Sequence, residues 1–156
     1  MEDDALIEAC IGPTLRRMMG KSLTDKVRLT GGLTSGQRAL LMFKMVQGHC
    51  GGGTLALFRQ LSYLLIHKGV WMGIKKGFDH FGDRALGQLA DRLEAAYLVI
   101  AADSPALAGW ERDTSPAVSA MLEPLDRDLR EQMPAYIKTV VSSIRRRPDE
   151  YVRVVD

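Results

Sequence analysis

Apolar residues along this chain recur at helical spacing, and glycine, proline and capping residues cut the pattern into segments. The first segment predicts a helix over about residues 3 to 10. Pro13 suits the first turn of a second short helix, which Gly20 can close. Residues 21 to 33, with Gly31 and Gly32, read as a loop. Thr34-Ser35-Gly36-Gln37 then carries the pattern of a capping box, in which a threonine hydroxyl and a glutamine side chain satisfy each other's backbone amides. Ala39, Leu40, Phe43 and Val46 follow on one face, and Gly48 with Gly51, Gly52 and Gly53 is expected to end that helix.

The next helix is predicted from about Thr54, with Leu57, Phe58, Leu61, Leu64 and Leu65 as its apolar stripe. Gly69 is expected to separate it from a short segment, Val70 to Lys76. Asp83 caps the most amphipathic stretch, where Leu86, Leu89, Leu93, Ala96, Tyr97 and Ile100 share a stripe. Ser104-Pro105 and Ser115-Pro116 both suit helix starts. Beyond Ala117 a helical pattern runs through Leu129, with Pro124 predicted to split it and Pro134 to stop it or open the next helix. Tyr136, Ile137, Val140, Val141 and Ile144 carry the last stripe, before Arg145-Arg146-Arg147-Pro148 breaks it. Residues 149 to 154 can add a final turn. No strand alternation is sustained, so the expected class is all-α: an irregular multi-helix bundle with short loops, one domain over residues 1–156.

Composition changes this picture little. The acidic amino terminus lacks the basic region of a secretory signal, and no apolar run approaches the roughly 20 residues that span a bilayer. Two cysteines, Cys10 and Cys50, build neither a disulfide framework nor, alone, a structural zinc site. These features predict a cytoplasmic protein with no membrane association.

Charge changes it more. From Lys26 to Lys76 there are eight bases and no acid, so against a net charge of +2 the remainder carries −6. Such a span either faces an acidic partner or pairs with acids from the other segments on folding.

Catalytic and metal patterns fail on counting. His49-Cys50 before a glycine run invites comparison with a tyrosine-phosphatase loop, in which five residues separate the cysteine from an arginine. Here that position is Ala56, the nearest arginine is Arg59, and a helix rather than a strand leads in. Gly20-Lys21-Ser22 would need a glycine where Leu15 stands to complete a phosphate loop. His49, His67 and His80 form no His-x-x-x-His pair. Asp79 and Asp83 can share a helix face, but capping by Asp83 and solvation of Asp79 explain them equally. No catalytic residue, metal ligand or cofactor is therefore assigned. Trp71 among Lys68, Lys75 and Lys76 matches both a single-stranded nucleic-acid surface and a helix with one anchored tryptophan.

Two stretches together carry a family resemblance. Leu33-Thr34-Ser35-Gly36-Gln37-Arg38-Ala39-Leu40, running into Gly51, Gly52 and Gly53, resembles the opening of a bacterial all-helical domain of unknown function that is shared with a DNA-mimic protein. Leu125-Asp126-Arg127, then Tyr136-Ile137, then Pro148-Asp149-Glu150-Tyr151, is similar to that family's closing pattern, so the resemblance spans roughly residues 30 to 153. The family's turn has Asn where Gly51 stands, an aromatic residue at Thr54 and Gln at Ala56, which predicts loss of a polar cluster at the turn. The resemblance implies a helical fold, self-association as a homodimer and no catalysis. DNA mimicry does not carry over, because it needs a carboxylate array and this chain has an acid-free centre.

The leading expectation is a non-enzymatic protein-interaction domain, a regulator or a toxin-immunity-like binder. Its expected contact residues are His49, Arg59, Lys68, Trp71, Lys75 and Lys76. The alternative is a nucleic-acid-binding protein that uses the acid-free segment 26–78.

Overall fold

The computed structural model describes residues 2–103 and 116–152. Among these the chain is built of helices, with no strand. They are α1 (Asp3–Met18), α2 (Leu23–Gly31), α3 (Ser35–His49), α4 (Thr54–Leu65), α5 (Lys68–His80), α6 (Arg84–Asp103) and α7 (Pro116–Arg146). A 3-10 turn, Pro148–Glu150, follows α7. The all-α multi-helix class is as expected. Ser104-Pro105 and Ser115 lie outside the described residues, as do residues 153 and 154 of the predicted last turn.

Several boundaries depart from the expected ones. Pro13 lies inside α1, and Pro124 and Pro134 lie inside α7. Each proline removes one N–H and leaves the carbonyl four residues back unbonded. All three prolines are exposed, and so are Ala9, Ala120 and Arg130, which carry those carbonyls. Water can serve the orphan acceptors, so neither helix has to break. Residues 23–31, expected as loop, form α2, with the Ser22 side chain accepting from the Asp25 amide at 3.2 Å. Gly48 does not end α3, which runs to His49. Gly69 falls in the first turn of α5, and the break comes earlier, at Ile66 and His67.

Where the local signal is strong, the structure follows it. Thr34 Oγ1 accepts from the Gln37 amide at 3.1 Å, and Gln37 Oε1 accepts from the Thr34 amide at 2.9 Å. Asp83 Oδ1 accepts from the amides of Ala85 and Leu86, while its Oδ2 accepts from the Thr139 hydroxyl at 2.9 Å. That carboxylate is therefore a cap tied to α7, and Asp79 is exposed.

Every helix except α2 sends fully buried apolar side chains into one continuous core. Phe43, Phe58, Phe78 and Leu89 sit at its centre. The closing turn is locked onto the start of α3. The Thr34 hydroxyl donates to the Glu150 carbonyl, and buried Tyr151 shares a hydrogen bond of 2.6 Å with Ser143. Gly36 makes the approach possible, since a Cβ there would lie 2.6 Å from the Glu150 carbonyl oxygen. Gly36→Ala must displace backbone rather than a flexible side chain. It is expected to lower the unfolding free energy by about 1–3 kcal/mol, read from urea unfolding curves.

Candidate functional site

A strongly apolar concavity is lined by residues of α1, α2, α3, α4 and α5. It encloses about 440 Å³, within the range typical of pockets that receive ligand groups or side chains. Leu23 and Val27 of α2, Met42 and Met45 of α3 and Leu64 of α4 line it. Met18 and Met19 complete a lining that uses four of the chain's eight methionines. Flexible thioethers repack around varied shapes at little cost. Part of the wall is open to solvent: Met19 is 75% and Val27 63% exposed.

The charged groups on this groove are all basic. Lys26, Lys44 and His49 line it, and among the described residues no Asp or Glu does. Neither lysine has a carboxylate within 4.0 Å among the described residues. Lys26 Nζ instead lies 5.3 Å from the centroid of the Tyr63 ring, a cation–π contact at the rim. The His49 imidazole Nδ1 donates to the Met45 carbonyl at 2.7 Å, which fixes the ring against its own helix.

Of the six expected contact residues, only His49 reaches this groove. Arg59, Lys68 and Lys76 are exposed elsewhere. Two of the six are engaged within the fold. Trp71 is 3% exposed, its indole N–H donates to the Leu65 carbonyl at 2.9 Å, and its ring packs against Phe58 and Tyr97. It is the anchored tryptophan of the two readings and offers no face to a base. Lys75 is held by Glu94 at 2.5 Å and Asp91 at 3.7 Å, both from α6. Its ammonium is satisfied within the chain, and these partners raise its pKa. The basic segment thus splits: Lys75 pairs with later acids, whereas Lys26 and Lys44 turn to the groove. The sequence signal for the groove was the methionine count, which by itself does not say where the methionines converge.

No protein-family model matches the chain, and no curated protein or solved structure matches it either.

The glycine joint is a structural corner. Gly53 takes a φ of 94°, open to glycine at little cost, and delivers the chain into α4. A polar contact from another helix holds this corner. Asp126 of α7 reaches across, and its Oδ1 accepts from both the Thr54 amide at 2.7 Å and the Thr54 hydroxyl at 2.6 Å. Nothing at the joint forms a Cys–His pair. The Cys50 thiol donates to the Gln47 carbonyl at 3.3 Å, and burial pushes its pKa up, which disfavours the thiolate. Among the described residues no three His, Cys, Asp or Glu side chains are placed to hold a metal ion, and no helix is long and apolar enough to cross a membrane.

Proposed function

We propose that this chain is a non-enzymatic protein-binding domain that receives an acidic amphipathic helix of a partner protein in the groove between α2, α3 and α4. The observation that carries this reading is the groove's composition: methionine and leucine walls, two lysines on the lining without carboxylate partners, and no acid. An amphipathic helix offers apolar side chains one turn apart to such walls, and acids flanking them meet Lys26 and Lys44. Met19, Val27 and Tyr63 of the lining are themselves exposed, so apolar surface of the groove is open to a partner. The family resemblance implies self-association, but a second copy meeting this face about a two-fold axis would set lysines against lysines. A partner of opposite charge fits better.

The test is a titration of the isotopically labelled protein, followed by two-dimensional NMR, with three peptides. One is a helical leucine–glutamate peptide, one its leucine–lysine counterpart, and one a scramble of the acidic peptide. The acidic helix is expected to bind, with shifts confined to α2, α3 and α4. The double charge reversal Lys26→Glu, Lys44→Glu is expected to weaken it by about tenfold or more. Equal binding of the scramble or the basic peptide, indifference to the charge reversal, or no binding at all would overturn the reading. Groove resonances that shift with protein concentration alone would assign the face to a second copy and overturn it too.

A further inference from the structure

The opposite flank of α2 borders a second cavity with different chemistry. It encloses about 510 Å³ between α1, α2, the start of α3 and the closing turn. Hydrogen-bond donors dominate its polar lining: Arg17 and Thr14 from α1, Arg28 from α2 and Gln37 from α3. Among the described residues no Asp or Glu lines it. Leu29, Leu33 and Tyr151 supply apolar wall.

Gln37 is the informative member. The residue as a whole is 7% exposed, and what it leaves open lines this cavity. The carbonyl half is committed to the Thr34 amide, which fixes which way the group is turned. The NH2 half then has no acceptor among the described residues. A donor at a cavity wall with no protein acceptor is open to water or to an acceptor that a ligand brings. The arginines are available to help. Arg17 has no carboxylate within 4.0 Å among the described residues. Arg28 has only Asp25 at 3.8 Å, a pair largely open to solvent and correspondingly weak.

We infer that this cavity binds a small organic carboxylate with an apolar body. Arg17 and Arg28 hold the carboxylate, Gln37 donates to it, and the body lies against Leu29, Leu33 and Tyr151. A guanidinium fork matches the planar, two-oxygen geometry of a carboxylate, and the absence of acid in the lining leaves that charge unopposed. The cavity volume suits a ligand of that size and exceeds what an inorganic anion fills. This site stands apart from the methionine groove and does not depend on what the groove binds.

Cys10 gives the test a built-in reporter. It lines this cavity, whereas Cys50 does not. Both thiols have raised pKa values from burial, so both alkylate slowly and can be followed by mass spectrometry in one sample. The probe is 4-phenylbutyrate, with its neutral amide and inorganic phosphate as controls. 4-Phenylbutyrate is expected to slow alkylation of Cys10 but not of Cys50, and to shift the Gln37 side-chain NH2 resonances. The neutral amide is expected to bind at least about tenfold more weakly, and Arg17→Glu with Arg28→Glu to lose about the same factor. Both arginines are exposed, so the variants should unfold at an unchanged temperature. Absence of Cys10 protection at about 10 mM probe would overturn the proposal. So would equal binding of acid and amide, full affinity in the arginine variants, or equal protection by inorganic phosphate.

Discussion

Trp71→Ala is expected to lower the unfolding free energy by about 3–5 kcal/mol, among the largest effects open to one substitution here. The side chain is 3% exposed and fills the space between α4, α5 and α6. Its ring meets Phe58 at 6.5 Å, nearly edge-on, and Tyr97 at 5.4 Å. Such aromatic pairs add about 0.5–1.5 kcal/mol beyond the area they bury. Its N–H also serves the Leu65 carbonyl, the last residue of α4, where a helix has no partner of its own to offer. Trp71→Phe should keep most of the packing and lose that hydrogen bond, costing about 1–3 kcal/mol. Urea unfolding separates the two readings of this tryptophan. A surface platform for nucleic acid would tolerate alanine to within about 0.5 kcal/mol, as Lys68→Ala is expected to.

The same residue shows what the sequence could and could not tell. Trp71, Ile74 and Phe78 fall at offsets of three and seven, and that spacing alone marks a buried stripe. The lysines around Trp71 are its neighbours in sequence but not on one surface, since the ring is buried while Lys75 pairs with Glu94. Lys75 shares the helix face with Trp71 to a degree, yet it is drawn to Glu94 and Asp91 on α6. No local pattern specifies that pairing. The capping box at Thr34 and the cap at Asp83 were legible because all their atoms come from within one helical turn. The prolines misled for a related reason. Their cost depends on whether the stranded carbonyl faces water, and only the packed arrangement decides that. Ser22 and Asp25, three apart, are a start signal for α2 that lies within one turn, whereas Gly31 and Gly32 mark only its end.

The groove was less legible than the helices. Its walls come from five helices, and its charge comes from lysines at 26 and 44, not from the crowded run at 68 to 76. The acid-free span announced that a basic face exists. It did not say which bases fold onto apolar surface and which meet acids. α2 matters most here, since none of its residues is buried and it stands between two cavities of opposite character. A helix held so lightly is drawn from the low-stability end of a fold, where binding surfaces are commonly found.

Asp126→Ala is expected to cost roughly 2–4 kcal/mol, although Asp126 lies far from the joint in sequence. Thr54 is fully buried, and both its amide and its hydroxyl donate to one carboxylate oxygen from α7. Removing that oxygen leaves two buried donors unpaired, each costing about 1–3 kcal/mol before relaxation. It also removes a negative charge from the N-terminus of α4, worth about 0.3–1 kcal/mol. Asp126→Asn keeps an acceptor oxygen and loses the charge, so it should recover most of the stability. Thr54→Val removes only the hydroxyl, and a double-mutant cycle with Asp126→Ala should give a coupling of about 0.5–3 kcal/mol. Hydrogen exchange supplies the local reading: the Thr54 amide and the first turn of α4 should lose protection in Asp126→Ala while α6 keeps it. If the glycine joint held itself, that amide would exchange no faster in the variant. The joint works as a clamp because Gly53, at its positive φ, presents Thr54 to a carboxylate that α7 holds in place. The Leu-Asp pair at 125 and 126 is therefore part of the same corner as the glycines.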